Sequence, residues 1–580
     1  MKKTNKQINI KNITFIIASI LILLITYIYM KKTRTIYFWD NAGYWGNAMG
    51  LADLLKTSPK ACIKDIISSI LFLDYTYLPS VIPTICMTIF SKSRMSYTIT
   101  NTIFYVIPVI YLLLDILSKL LKDNNNTKLK IFLNALTVLT ATPLLLNLNF
   151  DGYVDIGGLI ILLLVIRTYF FKLNPKEGKK YVFRLIGIGI LLMTSFFFRR
   201  WYVYWIISFL VSCVLYDIVR IIKIYKTEKG KVKSEIIECI KKYLIIGLSM
   251  LGVVVLTIAL YYFKYRSSSI KDFYLYKLLF YDYSYAYSAY QKGFIHELLN
   301  FLNHIGLINI IIAIISVICL NNKKKKDRTE VKIVNILFIQ MLICFILFEK
   351  AQSHELHHLL LYLPSFTIIN TIGIKNLLEN KSKIAKTLIT VFILNIILLF
   401  PCFNNCKPIT KLKNCGLLID FDFKPVVRKD IEELQKIDEY IEELSENSTK
   451  RIYLNSSSET LNSSIITYFE RSMSTNYAYK TYLLPISEVD NRDGVPLQIL
   501  NADIVIVTDP DQIHLEAKDQ KMINYINKMF INNEEIATNF EMINKMKLDD
   551  MDVYFYKKNK EFTDSEKEQF HINANEMLNK

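Results

Sequence analysis

The chain has only 17 glycines in 580 residues, and none forms a glycine-rich turn after a strand-like run. That removes the phosphate cradles of nucleotide-binding folds, which need glycine to bring backbone amides close to the ligand. Nine cysteines and seven histidines show no metal-ligand spacing, so a zinc-stapled module is excluded. No internal repeat is visible, which removes the signature of repeat-built secondary transporters. The first apolar run lacks a small-residue cleavage site and reads as a retained anchor rather than a signal peptide. Charge is scarce where hydrophobicity is high. Residues are 52% hydrophobic and 21% charged, yet the two classes are segregated along the chain.

What is present is a series of apolar runs separated by short Lys-rich loops, each run long enough to cross a hydrocarbon core of ~30 Å as a helix. Eleven are read: 13–30, 98–118, 131–149, 156–171, 183–198, 201–221, 243–263, 305–320, 331–348, 356–374 and 385–401. The class is a polytopic α-helical membrane protein. Lys and Arg gather at alternate ends: Lys2 to Lys11, Lys119 to Lys130, Arg167 to Arg184, Arg220 to Lys242, Lys323 to Arg328, and Lys375 to Lys386. This pattern predicts a cytoplasmic N-terminus, and an odd number of spans then puts the C-terminus outside. The net charge of +18 is thus a topology signal, and no nucleic-acid partner is expected.

Residues 78–90, "LPSVIPTICMTIF", are apolar but short and contain two prolines. Counting them as a span would invert every later loop, so they are read as surface-lying within one long outer loop, 31–97. Cys213, Cys239, Cys319 and Cys344 read as core residues. Cys402, Cys406 and Cys415 follow the last span on the oxidising side, where a disulfide is allowed and its pairing stays open.

From residue 404 the composition becomes that of a soluble domain. "RIYLNSS" (451–457), "ADIVIVTDP" (502–510) and "MDVYFYKK" (551–558) read as strands, with helices at 458–471 and 515–530. Alternating strands and helices predict an extracytoplasmic α/β domain over 404–580. The last fifteen or so residues are charged and read as a mobile tail.

With this topology the unusual polar residues collect on the outer face. Asp40 lies in "IYFWDNAGYWGN", and Asp151 and Asp155 lie in "NLNFDGYVDIGG". Arg199 and Arg200 stand in "FFFRRWYVYW", against the positive-inside rule. A Tyr-dense fourth loop carries Asp272, Asp282, His296 and His304, and "EKAQSHELHHLLLYLP" carries His354, His357 and His358. Each has two readings. Trp39, Tyr44 and Trp45 fit an interfacial belt as well as a holder for Asp40. The arginines fit snorkelling as well as a phosphate clamp. "DGYVDIGG" fits a tight turn with an N-cap as well as an acidic site. "SHEL" fits a helix start capped by Ser353, with His354 and His358 on one helical face. Their coincidence on one face favours a site. Such a set suits group transfer from a lipid phosphate: cations match the leaving phosphate, and a carboxylate serves as base for the acceptor.

In these residues the chain resembles the GT-C class of polyprenyl-phosphate-dependent glycosyltransferases, and most of all the bacterial branch related to protein mannosyltransferases and aminoarabinose transferases. "FWDNAGYW" looks like the first-loop acidic motif, "FDGYVDI" like a second acidic site, and "HELHHLLLYLP" like a His-rich approach to a late span ending at Pro364. Two features depart from the pattern: Asn41 stands where a second acid often follows, and no Trp-Trp-Asp triplet occurs. The resemblance implies a GT-C-like module over 1–403 and sugar transfer from a polyprenyl-phosphate donor to an envelope glycan, lipid or protein outside the plasma membrane. Asp40 is then the base and Asp151 and Asp155 the second acidic site, with Arg199, Arg200, His354, His357 and His358 on the lipid-phosphate side. No cofactor is required on this reading, while a divalent metal at Asp40 and Asp155 stays open. The rival expectations are a lipid-linked glycan transporter, which should carry charge inside its spans, and a non-catalytic assembly protein.

Overall fold

The computed structural model describes residues 10–122, 124–281, 283–322, 328–380, 383–397, 407–414, 425–473 and 480–579. Asp282, Cys402, Cys406, Cys415 and the expected boundary at 403/404 lie outside them. Among the described residues seven helices are long and apolar enough to cross a membrane: Ile10–Lys32, Arg94–Leu120, Thr127–Phe150, Lys179–Phe198, Tyr202–Thr227, Lys229–Tyr265 and Thr329–Glu349. The pair Phe294–Ile305 and Leu307–Asn322, bent by 91°, makes an eighth if taken as one span. The helical membrane class therefore holds, with seven or eight spans passing on length and composition where eleven were read. Ile156–Phe171 and Lys386–Asn395 are shorter apolar helices. The run 356–374 is broken: Leu356–Leu361 is a 3-10 turn, and the regular helix starts at Leu363.

Helices pack most closely on partners that are not their neighbours in the chain. Tyr202–Thr227 lies on Arg328–Glu349, Val232–Leu260 on Lys179–Phe198, and Leu307–Asn322 on Leu363–Asn380. Charges near the ends of the helices remote from Asp40 are paired. Asp115 takes Lys11, Lys119 and Arg167, while Asp217 pairs with Lys242 and Glu330 with Lys375. Paired charge is what an apolar surround permits.

The segment 33–93 folds back on the bundle. Trp39–Thr57 packs against Pro59–Phe72 and Val81–Ile89, so 78–90 is a 3-10 turn and a short helix. Tyr44 and Trp45 are fully buried in the main core, which corrects the belt reading for both. Trp45 donates from Nε1 to the Lys92 carbonyl at 3.2 Å.

The C-terminal part is an α/β unit with sheet order β1-β2-β4-β3, where β1 is Ile452–Leu454, β2 Ile504–Asp509, β3 Phe540–Leu548 and β4 Met551–Lys558. β1 and β2 are parallel, and the β3–β4 hairpin adds antiparallel to β2. The terminal residues are not a mobile tail. Asp564–Asn579 is a helix anchored by buried Phe570 and Ala574 at i,i+4 spacing. This unit is tied to the membrane part by main chain. Arg34 N donates to the Val426 carbonyl at 2.8 Å, and Arg428 N returns a bond to Arg34 O at 2.9 Å. Ile36 is buried in the C-terminal unit's core, and Tyr468 fits over Gly46, where any Cβ would meet its hydroxyl at 1.8 Å.

Candidate functional site

At one end of the bundle four chain breaks meet. Helix Trp39–Thr57 starts there with Asp40 in its first turn. Residues 151–155 turn between Thr127–Phe150 and Ile156–Phe171, made possible by Gly152 at φ +90 with Tyr37 packed where its Cβ would stand. Arg199 adopts an extended conformation that ends Lys179–Phe198. The fourth break is the 353–358 segment before the helix Leu363–Asn380. Trp39 has φ +47, a conformation strained for an aromatic residue by about 1–3 kcal/mol. It is held between Phe38 and the C-terminal unit's His514, with ring centroids 4.9 and 4.6 Å away.

These breaks and the C-terminal unit enclose a cavity of about 1390 Å³ lined by Asp40, Asp151, Arg199, Arg200, His357 and His358 among others. Single small-molecule pockets are usually about 300–1,000 Å³, so there is room for two reactants. Arg199 is the centre of its deep wall. Its Nη2 lies 3.3 Å from Asp40 Oδ2 and its Nε 2.8 Å from Asp155 Oδ1. The guanidinium sits 4.1 Å above the Tyr75 ring. Tyr44 donates to Asp155 Oδ1 at 3.4 Å, and Tyr202 donates to its carbonyl at 2.8 Å. Asp155 is completely buried and does not line the cavity, whereas the Asp40 side chain is 34% exposed. One carboxylate thus anchors Arg199 and the other faces the space.

Arg200 is pinned at the apolar side. It donates from Nη2 to the carbonyls of Ile70 (3.1 Å) and Leu73 (2.9 Å), with its guanidinium 3.7 Å over the Tyr274 ring. The histidines separate. His357 stacks on Tyr153 at 4.8 Å and lies 3.8 Å from His358. His358 donates from Nδ1 to Ser353 O at 2.9 Å. Burial, then the charge of Arg199, pushes His357 down to about 3, and burial also lowers His358. Both rings are neutral near pH 7, and because the one N–H of His358 is given to Ser353 O, only His357 can offer an N–H to the cavity. His354 is outside the cavity. Its amide donates to Glu297 Oε2 at 2.6 Å, and its Nε2 lies 2.9 Å from Tyr362 Oη. Ser353 caps no helix: its hydroxyl meets Glu297 and Glu355, each at 3.3 Å.

Asp151 is pushed up to about 7, first by burial and then by the charge of Glu459 across the cavity. Its folded-state value lies above the ordinary 3.8. The folded chain therefore takes up this proton first, and the group's contribution to stability is full below about pH 4 and lost as pH rises through about 7. Asp151→Asn is expected to flatten that dependence and raise the melting temperature at pH 8 by a few degrees. Melting curves of both proteins from pH 5 to 8 check it; parallel curves contradict it.

The C-terminal unit's contribution was not read from sequence. Ser458, Glu459, Glu488, Arg492 and His514 line the cavity with Tyr287, Tyr290 and Lys292. Burial raises Glu488 and lowers His514. The only sequence signal was the turn that follows each of the strands β1 and β2, which places Ser458 and His514 at strand ends. Among the described residues no group of three or more His, Cys, Asp or Glu is placed to hold a metal ion. In comparisons with known proteins, no family model and no curated protein matches the chain.

Proposed function

We propose that this protein is a membrane glycosyltransferase that moves a sugar from a polyprenyl-phosphate donor to an acceptor in the cell envelope, with its site on the outer face. The observation that carries the reading is Arg199, buried between an anchoring carboxylate and a cavity-facing one. A lipid phosphate entering on the Arg200 side competes with Asp40 for the Nη2 of Arg199. Its charge is met by two fixed guanidinium groups, whose planar forks suit phosphate oxygens. Asp40, released from that contact, takes the proton of the acceptor hydroxyl or amine as it attacks the anomeric carbon. The C–O bond to phosphate breaks in the same displacement, inverting that carbon, and the lipid phosphate leaves with the bonding pair. Neutral His357 donates a hydrogen bond to a departing oxygen, His358 with its one N–H committed to Ser353 O stays a wall residue, and Asp155 holds the arginine throughout.

The test is transfer of labelled sugar from an undecaprenyl-phosphate donor to envelope material by membranes carrying the chain. Absence of any such transfer counts against the reading. Arg200→Ala is expected to weaken binding of undecaprenyl phosphate by roughly tenfold or more, about the 1.5–3 kcal/mol of a charge-assisted hydrogen bond. Unchanged affinity returns Arg200 to a packing role beside Tyr274.

A further inference from the structure

We infer that the helix Phe294–Ile305 lies in the plane of the membrane, its outward side seated among the acyl chains of the leaflet on the cavity's side. Three observations carry this. The helix meets Leu307–Asn322, an apolar helix of 16 residues, at 91°. If the second crosses the bilayer, the first runs along its surface. Its residues also divide into a buried and an exposed set. Glu297, Phe301 and Ile305 are buried, while Phe294, Ile295, Leu298 and Leu299 form an exposed apolar stripe at i, i+1, i+4 and i+5, with Ile295 at 74%. Such a stripe beside a membrane span is seated in lipid about 5–10 Å into the headgroup and acyl boundary. Leu279 and Phe280 of the helix Tyr274–Phe280, whose Tyr274 and Leu278 line the same cavity, are likewise exposed at 76% and 70%.

The buried side gives the placement a consequence. Glu297 accepts from the His354 amide and the Ser353 hydroxyl, Asn300 donates to the His354 carbonyl at 3.1 Å, and Phe301 packs edge-on against Tyr362. A lipid-seated helix therefore holds the turn that carries His357 and His358 into the cavity wall. The bilayer surface becomes one of the supports of the site, whatever reaction that site performs.

The experiment adds a tryptophan on the exposed stripe (Leu299→Trp, with Ile295→Trp as a second reporter) and reads its fluorescence as the difference from the parent protein. The full chain is placed in phosphatidylcholine nanodiscs. The added signal is expected to be quenched most by nitroxide-labelled phosphatidylcholine bearing its label near the top of the acyl chain, at least about twofold more than by acrylamide. Stronger quenching by acrylamide overturns the inference. So does strongest quenching by a label near the chain end, which means a spanning segment, or protection from both quenchers, which means cover by protein such as a second copy.

Discussion

Asp40→Asn is expected to lower sugar transfer by about 10²–10⁴-fold, the usual contribution of a positioned general base, with insertion and melting unchanged. Asparagine keeps the shape of the side chain and an oxygen for Arg199 Nη2, so the contact at 3.3 Å survives. What is lost is the ability to take a proton. The residue is partly exposed and not a buried structural charge, so little stability is at stake. Binding of undecaprenyl phosphate should be retained, because the two arginines are intact. Near-wild-type transfer by this variant removes Asp40 as the base.

Arg199→Ala should do more damage, and in two separable ways. It leaves Asp155 as a buried carboxylate without its cation, a loss of about 3–5 kcal/mol for a broken buried pair. It also removes the group that meets both Asp40 and the proposed phosphate. The double variant Arg199→Ala with Asp155→Asn is expected to recover most of the melting temperature, since the orphan charge is gone, yet to stay inactive. Recovery of transfer along with stability would reduce Arg199 to a structural role. No recovery of stability would mean that its stacking on Tyr75, 4.1 Å away, outweighs its ion pair.

The membrane helices were legible because length and hydropathy dictate them, and so was the convergence of Asp40, Asp151, Arg199 and His357, which follows from sorting loops by face. Five things were not legible, each for a physical reason. Burial separates residues that spacing makes equivalent: Asp155 and His354 differ from Asp40 and His357 only in which side of a turn they occupy. The helical face assumed for His354 and His358 fails because the regular helix does not start until Leu363. The terminal helix looked mobile because two apolar anchors, Phe570 and Ala574, carry little weight in a charged run. β3 escaped notice because five of its nine residues, including Glu541 and Lys547, are exposed on an edge strand. The C-terminal unit's wall of the cavity depends on a docking of residues hundreds of positions apart, as with His514 on Trp39, and local patterns do not encode it.

The most direct measurement follows both products at once. The purified chain and its Asp40→Asn variant, each in nanodiscs, are given undecaprenyl-phosphate-linked labelled sugar and an envelope fraction. Label reaching macromolecular material and undecaprenyl phosphate released are then counted together. The account predicts that the two rise in equal amounts with the wild type and that neither rises with the variant. Equal rates for the two proteins, or donor left unconsumed by the wild type, would contradict it.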